Sequence, residues 1–103
     1  MPDTTPPRTY QIVKERHPEF MEAVEKLASA TRAQGPLDEK TAHLVQLAAA
    51  VAIRSEGAVH SHAKRAVAAG ADKDEIYHTL ILLTTTIGFP TVVAGISWVN
   101  DVI

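Results

Sequence analysis

Apolar residues along this chain recur at helical spacing and rarely alternate. Phe20, Val24, Leu27 and Thr31 fall three or four apart and put one apolar stripe on a helix opening near Pro18. Proline is tolerated in that first turn, and Gly35-Pro36 ends the element. From Leu44 to Ile53 every residue except Gln46 is apolar. A helix over that stretch has almost no polar face and is expected to be buried all round. In so short a chain its cover must come from its own domain and from a neighbouring subunit.

Local signals set the other boundaries. Asp38 is the expected N-cap of the third helix, which runs through about Arg54. Ser55 is placed to cap a fourth, running to about Ala69 with Gly70 as its stop. Asp72 and Glu75 have the three-residue offset of a capping box and open a fifth, through about Ile87. Its Thr84-Thr85-Thr86 run has poor helix propensity and depends on packing. Gly88-Phe89-Pro90 makes a turn, and a last helix runs from about Pro90 to Val102. With a short helix from about Thr9 to Arg16, the pattern predicts an all-α, single-domain bundle of about six helices. Residues 1–8 read as a mobile proline-rich leader, and residues 9–103 as the helical domain.

Composition narrows the function classes. The chain has 103 residues, 46% of them apolar but only five aromatic, which favours closely packed helices over a sheet sandwich. A net charge of −2 gives no basic field for nucleic acid or an anionic membrane. Cysteine is absent, which removes disulfides, thiolate metal sites and thiol catalysis together. No segment has the form of a signal peptide, and the longest apolar run is about half of the ~20 residues a spanning helix needs. A soluble, cytoplasmic protein is expected.

Four of the five histidines, His43, His60, His62 and His78, fall in the three central helices. Histidine exchanges protons readily near pH 7. His60 and His62 are two apart and so face ways that differ by about 200°, which disfavours a two-histidine metal clamp on one face. Glu56 and His60 are four apart and share an edge, either as an ordinary surface contact or as half of a metal site. Ser55, Ala58 and His62 form another face, with two small residues below the ring. Glu75, His78 and Leu82 share a face of the fifth helix.

The stretch Leu37-Asp38-Glu39-Lys40-Thr41, the apolar helix after it, and Ser55-Glu56-Gly57-Ala58-Val59-His60-Ser61-His62 resemble the carboxymuconolactone decarboxylase family. So do Ala66, Gly70, Asp74-Glu75-Ile76 and Gly88-Phe89-Pro90. The resemblance implies an alkylhydroperoxidase D-like fold and a homo-oligomer, a trimer or a hexamer built from trimers. In the peroxidase branch of that superfamily a cysteine pair precedes the histidine. Counting back from His62, those positions are Ser55 and Ala58, so the thiol peroxidase pathway is absent. That branch also carries an acidic residue where this chain has His43. The decarboxylase branch lacks the cysteines and tends to have Glu-Gly followed by histidine, as in Glu56-Gly57 and His62. This chain fits that branch better and is similar to a shorter subgroup with a tryptophan near the C-terminus, here Trp98. Two departures bear on the substrate: the N-terminal region is short, and His78 stands where a glutamate is common.

The function so implied is a cofactor-free decarboxylase or proton-transfer enzyme acting on a small unsaturated lactone or carboxylate. Such a catalyst must hold the leaving carboxylate, stabilise charge on the lactone oxygen and return a proton to carbon. His62 is the candidate proton donor, with Glu56 and His78 as further catalytic candidates. His43, His60 and Arg54 are candidates for binding substrate, and Lys64 or Arg65 for holding its carboxylate. No metal or cofactor is required. The competing readings are a non-catalytic binding protein on the same scaffold, and a metal protein using some of Glu56, His43, His60, His62 and His78.

Overall fold

A computed structural model describes residues 5–103, and every regular element among them is helical. The order is α1 (Arg8–Arg16), α2 (Pro18–Ala33), α3 (Glu39–Ala52), α4 (Glu56–Ala68), α5 (Lys73–Ile81), α6 (Thr84–Ile87) and α7 (Phe89–Asn100). The first four residues of the expected leader lie outside the described residues, and α1 begins at Arg8, the leader's expected last residue.

Several boundaries follow from capping chemistry readable in the sequence. The Asp38 carboxylate accepts from the Thr41 N–H at 2.8 Å and opens α3. At α5, Asp72 accepts from the Glu75 N–H at 2.8 Å while Glu75 accepts from the Asp72 N–H at 3.0 Å, a complete capping box. Ser55 occupies the N-cap position of α4 but its hydroxyl makes no capping bond. Gly70 and Gly88 have φ of +104° and +91°, the left-handed region that glycine enters freely, and they turn the chain after α4 and before α7. The fifth helix does not run unbroken to Ile87. It stops at Ile81, and α6 restarts at Thr84, whose hydroxyl donates to the Ile81 carbonyl at 2.7 Å. Threonine offers the backbone that competing bond, and the helix breaks there.

The core lies among α3, α4, α5 and α7. Leu47 and Val51 meet Val59, Ala63 and Ala66, with Ile76, Leu80, Val92 and Val99 closing the other side. Gly95 lets α7 cross close to α3: a Cβ there would lie 2.8 Å from Val51 Cγ1 and 3.2 Å from Leu80 Cδ2.

Two apolar stretches are not covered by this chain. On α3, Leu47, Ala50 and Val51 are buried, but Val45 and Ile53 are exposed, so the helix is enclosed on one side only. On α2 the expected stripe also faces outward: Phe20 and Leu27 are 61% and 65% exposed, and Met21 is the buried residue. Val24, within that stripe, lines an open space with Ala28 and Arg32 instead of filling a core.

Candidate functional site

That space is a cavity of about 730 Å³ between the α1–α2 hairpin and the α3–α4 pair. Each helix supplies one face at helical spacing. Glu39, His43 and Gln46 come from α3, and Ala58, Ser61, His62 and Arg65 from α4. Thr9 and Tyr10 of α1 and Val24, Glu25, Ser29 and Arg32 of α2 make the opposite wall. Gly57, Ala58, Ser61, Ala28 and Ser29 are small, so the helices leave a gap where larger side chains would have packed it shut. The cavity lies against α1, α2 and α3, and its largely apolar walls carry charge of both signs.

Two histidines meet at this cavity. His43 and His62 come from sequence positions nineteen apart, and their Nδ1 atoms lie 3.3 Å from each other. Their ring centroids are 5.6 Å apart with planes tilted by 37°. His43 is 3% exposed and His62 is partly buried. At this separation one neutral ring donates its Nδ1–H to the other's Nδ1. His43 Nε2 lies 4.0 Å from a Glu39 carboxylate oxygen, beyond hydrogen-bond reach. A buried Gln46 side-chain oxygen on the same α3 face has no hydrogen-bond partner among the described residues.

Burial and positive neighbours keep both rings neutral. His62 is pushed down to about 4, first by desolvation, then by His43, Arg65 and Arg32. His43 is lowered too, by burial first and then by Arg65 and Arg32, with Glu39 opposing. Glu56 and Glu75 are not among the cavity's walls. Glu75 is held by Lys40 at 2.8 Å, a contact that lowers the glutamate and raises the lysine. In the free protein at pH 7 His62 is therefore a neutral imidazole.

Of the residues singled out from sequence, His43, His62 and Arg65 line the cavity, and the rest stand elsewhere. His78 is exposed on α5. His60 and Glu56 lie on the other edge of α4, with His60 Nε2 3.1 Å from Asp101 Oδ2. Arg54 follows α3 at φ +56°, donates to the Thr91 hydroxyl at 3.1 Å and sits 5.9 Å from the Trp98 ring centre. It serves the α3–α4 junction. Lys64 donates to the Thr5 carbonyl at 3.2 Å. Arg32 and Gln46 were missed. Gln46 had a signal, since it lies three residues after His43 and is the sole polar residue in an apolar run. Arg32 had none, because only the packing of α2 brings it near α4.

The comparisons with known proteins agree with the all-helical fold. The family model of the carboxymuconolactone decarboxylase family matches residues 18–101. An uncharacterised protein of Methanocaldococcus jannaschii is 30% identical over 102 residues, covering 99% of this chain and 95% of that protein. The crystal structure of an apo-form carboxymuconolactone decarboxylase family protein from Legionella pneumophila superposes with a TM-score of 0.77 at 27% identity. It covers 89% of this chain and 82% of that one.

Proposed function

The chain belongs to the carboxymuconolactone decarboxylase family, and we propose that it is a cofactor-free decarboxylase or proton-transfer catalyst for a small unsaturated lactone or carboxylate. The observation that carries this reading is the His43–His62 pair in a cavity flanked by Arg32 and Arg65. A substrate carboxylate seats against the two guanidinium groups, which favour planar, charge-assisted contact with it. Its charge offsets the positive field that keeps His62 neutral, so His62 takes up a proton in the complex. When the carbon–carboxylate bond breaks, carbon dioxide leaves and the electron pair moves into the conjugated lactone carbonyl. A ring N–H stabilises the oxygen that gains charge. His62 then returns its proton to carbon and is recharged from solvent, so each turnover consumes one proton. Glu56, His60, His78 and Arg54 have no part in this scheme.

The test is turnover of carboxymuconolactone and a panel of unsaturated lactones by purified protein, followed as carbon dioxide release or loss of the conjugated chromophore. Saturable turnover supports the proposal. Tight binding of the same compounds without turnover defeats it and favours a binding protein on this scaffold.

We also propose that the chain works as a homo-oligomer, a trimer or a hexamer built from trimers. Phe20, Leu27, Val45, Ile53, Leu82 and Phe89 are all exposed on one small chain. A second copy removes such apolar area from water at roughly 25 cal/mol per Å². Sedimentation at micromolar concentration should give a single species of at least three chains, and a stable folded monomer would overturn the assignment.

A further inference from the structure

The edge of α4 opposite the cavity carries chemistry that the proposed reaction leaves unused. Glu56 and His60 are one turn apart on that edge, and their closest side-chain atoms, Oε1 and Nε2, are 4.0 Å apart. The chain then returns from α7 and places Asp101, its C-cap residue, against the same imidazole nitrogen, Oδ2 to Nε2 at 3.1 Å. Three donor atoms from two helices lie within 4.8 Å of one another. Sequence spacing offers only the Glu56–His60 half of this arrangement. The third donor arrives from 41 positions further on, through the packing of α7 against α4.

We propose that Glu56, His60 and Asp101 bind a divalent first-row transition metal ion, Zn²⁺ foremost, as a clip between the start of α4 and the end of α7. One imidazole nitrogen and two carboxylate oxygens suit zinc better than the harder all-oxygen ions. Bonds of ~2.0–2.1 Å at a tetrahedral centre put neighbouring donors about 3.3 Å apart. The His60–Asp101 spacing already matches. Glu56 has to close by somewhat over half an ångström on His60 and by up to about 1.5 Å on Asp101 to reach that spacing, within reach of a side chain that is 57% exposed. Asp101 is 54% exposed, so an ion and its water ligand reach the site from solvent. His60 is held more firmly, at 25% exposure, and gives the site one fixed arm. Lys64, one turn further along α4, directs its ammonium to the Thr5 carbonyl. The cavity's own histidine pair is the poorer metal site, because Arg32 and Arg65 face it and no third carboxylate or imidazole donor converges there among the described residues.

The experiment is zinc titration of the chelator-treated full chain, read by calorimetry and by thermal unfolding. Wild type should bind one Zn²⁺ per chain and gain about 10 °C in Tm at a hundredfold excess over Kd. Asp101→Asn keeps an oxygen for the His60 hydrogen bond, so its fold is retained, yet it should bind at least tenfold more weakly. His60→Ala should abolish the site, and His62→Ala should leave it intact. Zinc uptake that survives in Asp101→Asn and His60→Ala but disappears in His62→Ala would overturn the proposal and put the metal in the cavity. The absence of any saturable uptake up to millimolar zinc would overturn it outright.

Discussion

His60 and His62 stand two positions apart on α4, and the helix turns them to environments that share almost nothing. His62 faces a cavity, beside another imidazole and two guanidinium groups, and burial and charge push it down to about 4. His60 faces solvent on the opposite edge, between two carboxylates. The same side chain is thus given two different settings by what the neighbouring helices bring to it. Around His62 the nearest charges are positive, whereas around His60 they are carboxylates. Neither environment is a property of α4 alone. One is made by α2 and α3, the other by the end of α7.

The largest expected effect separates the two histidines by turnover. His62→Ala should cost roughly 10²–10⁴-fold in kcat/KM on whichever lactone the protein turns over, with folding and assembly nearly intact. His60→Ala should leave turnover within about twofold. Equal losses in both variants would mean that the cavity is not where the chemistry occurs, and the contrast between the two edges would collapse.

Acid stability gives the next largest difference. His62 has a folded value of about 4 against an ordinary value of 6.5. A depressed histidine contributes stability that is fully present above its unfolded value, because neither state then holds the proton. As pH falls below 6.5 the unfolded chain binds the proton first, so stability declines until about pH 4, where the loss levels off. Full conversion of that shift would be about 3.4 kcal/mol, and solvent screening at the partly exposed ring makes the actual difference smaller. Urea unfolding of wild type and His62→Ala at pH 7 and pH 4.5 isolates it: wild type should lose more than the variant. Parallel losses would show that His62 titrates normally. The same linkage predicts that a small carboxylate binds more tightly as pH falls through this window, with proton uptake visible by calorimetry in buffers of different ionisation enthalpy.

The contrast between the two edges also explains how much could be seen before the fold was known. Asp38, Gly70, Gly88 and the Asp72–Glu75 box were legible because each acts within a few residues of itself. The two faces of α4 were legible as well, since helix period alone separates His60 from His62. The partners were not. Placing Arg32 and Asp101 requires knowing how α2 and α7 pack against their neighbours, and local pattern is silent on that. The apolar stripe of Phe20 and Leu27 shows the same limit. Periodicity identifies an apolar face, but only the packing of the hairpin shows that this chain leaves it uncovered.

Arg65 provides the finest test, because it acts on the cavity edge without being the reacting group. Its guanidinium lowers both His43 and His62, but for each of them burial is the larger cause. Arg65→Met keeps an apolar stem against the wall and removes the charge. His62 should then titrate at a higher pH than in wild type, yet still below the ordinary histidine range, because its desolvation is unchanged. NMR titration of the imidazole C–H signals reads this directly, and the His60 signal should not move. Affinity for a small carboxylate should fall about tenfold, on the scale of one charge-assisted contact of ~1.5 kcal/mol. An unmoved His62 signal with normal carboxylate affinity would assign the anion contact to Arg32 alone. If the His60 signal moved instead, the charge would be acting across the helix, and the two edges of α4 would not be independent.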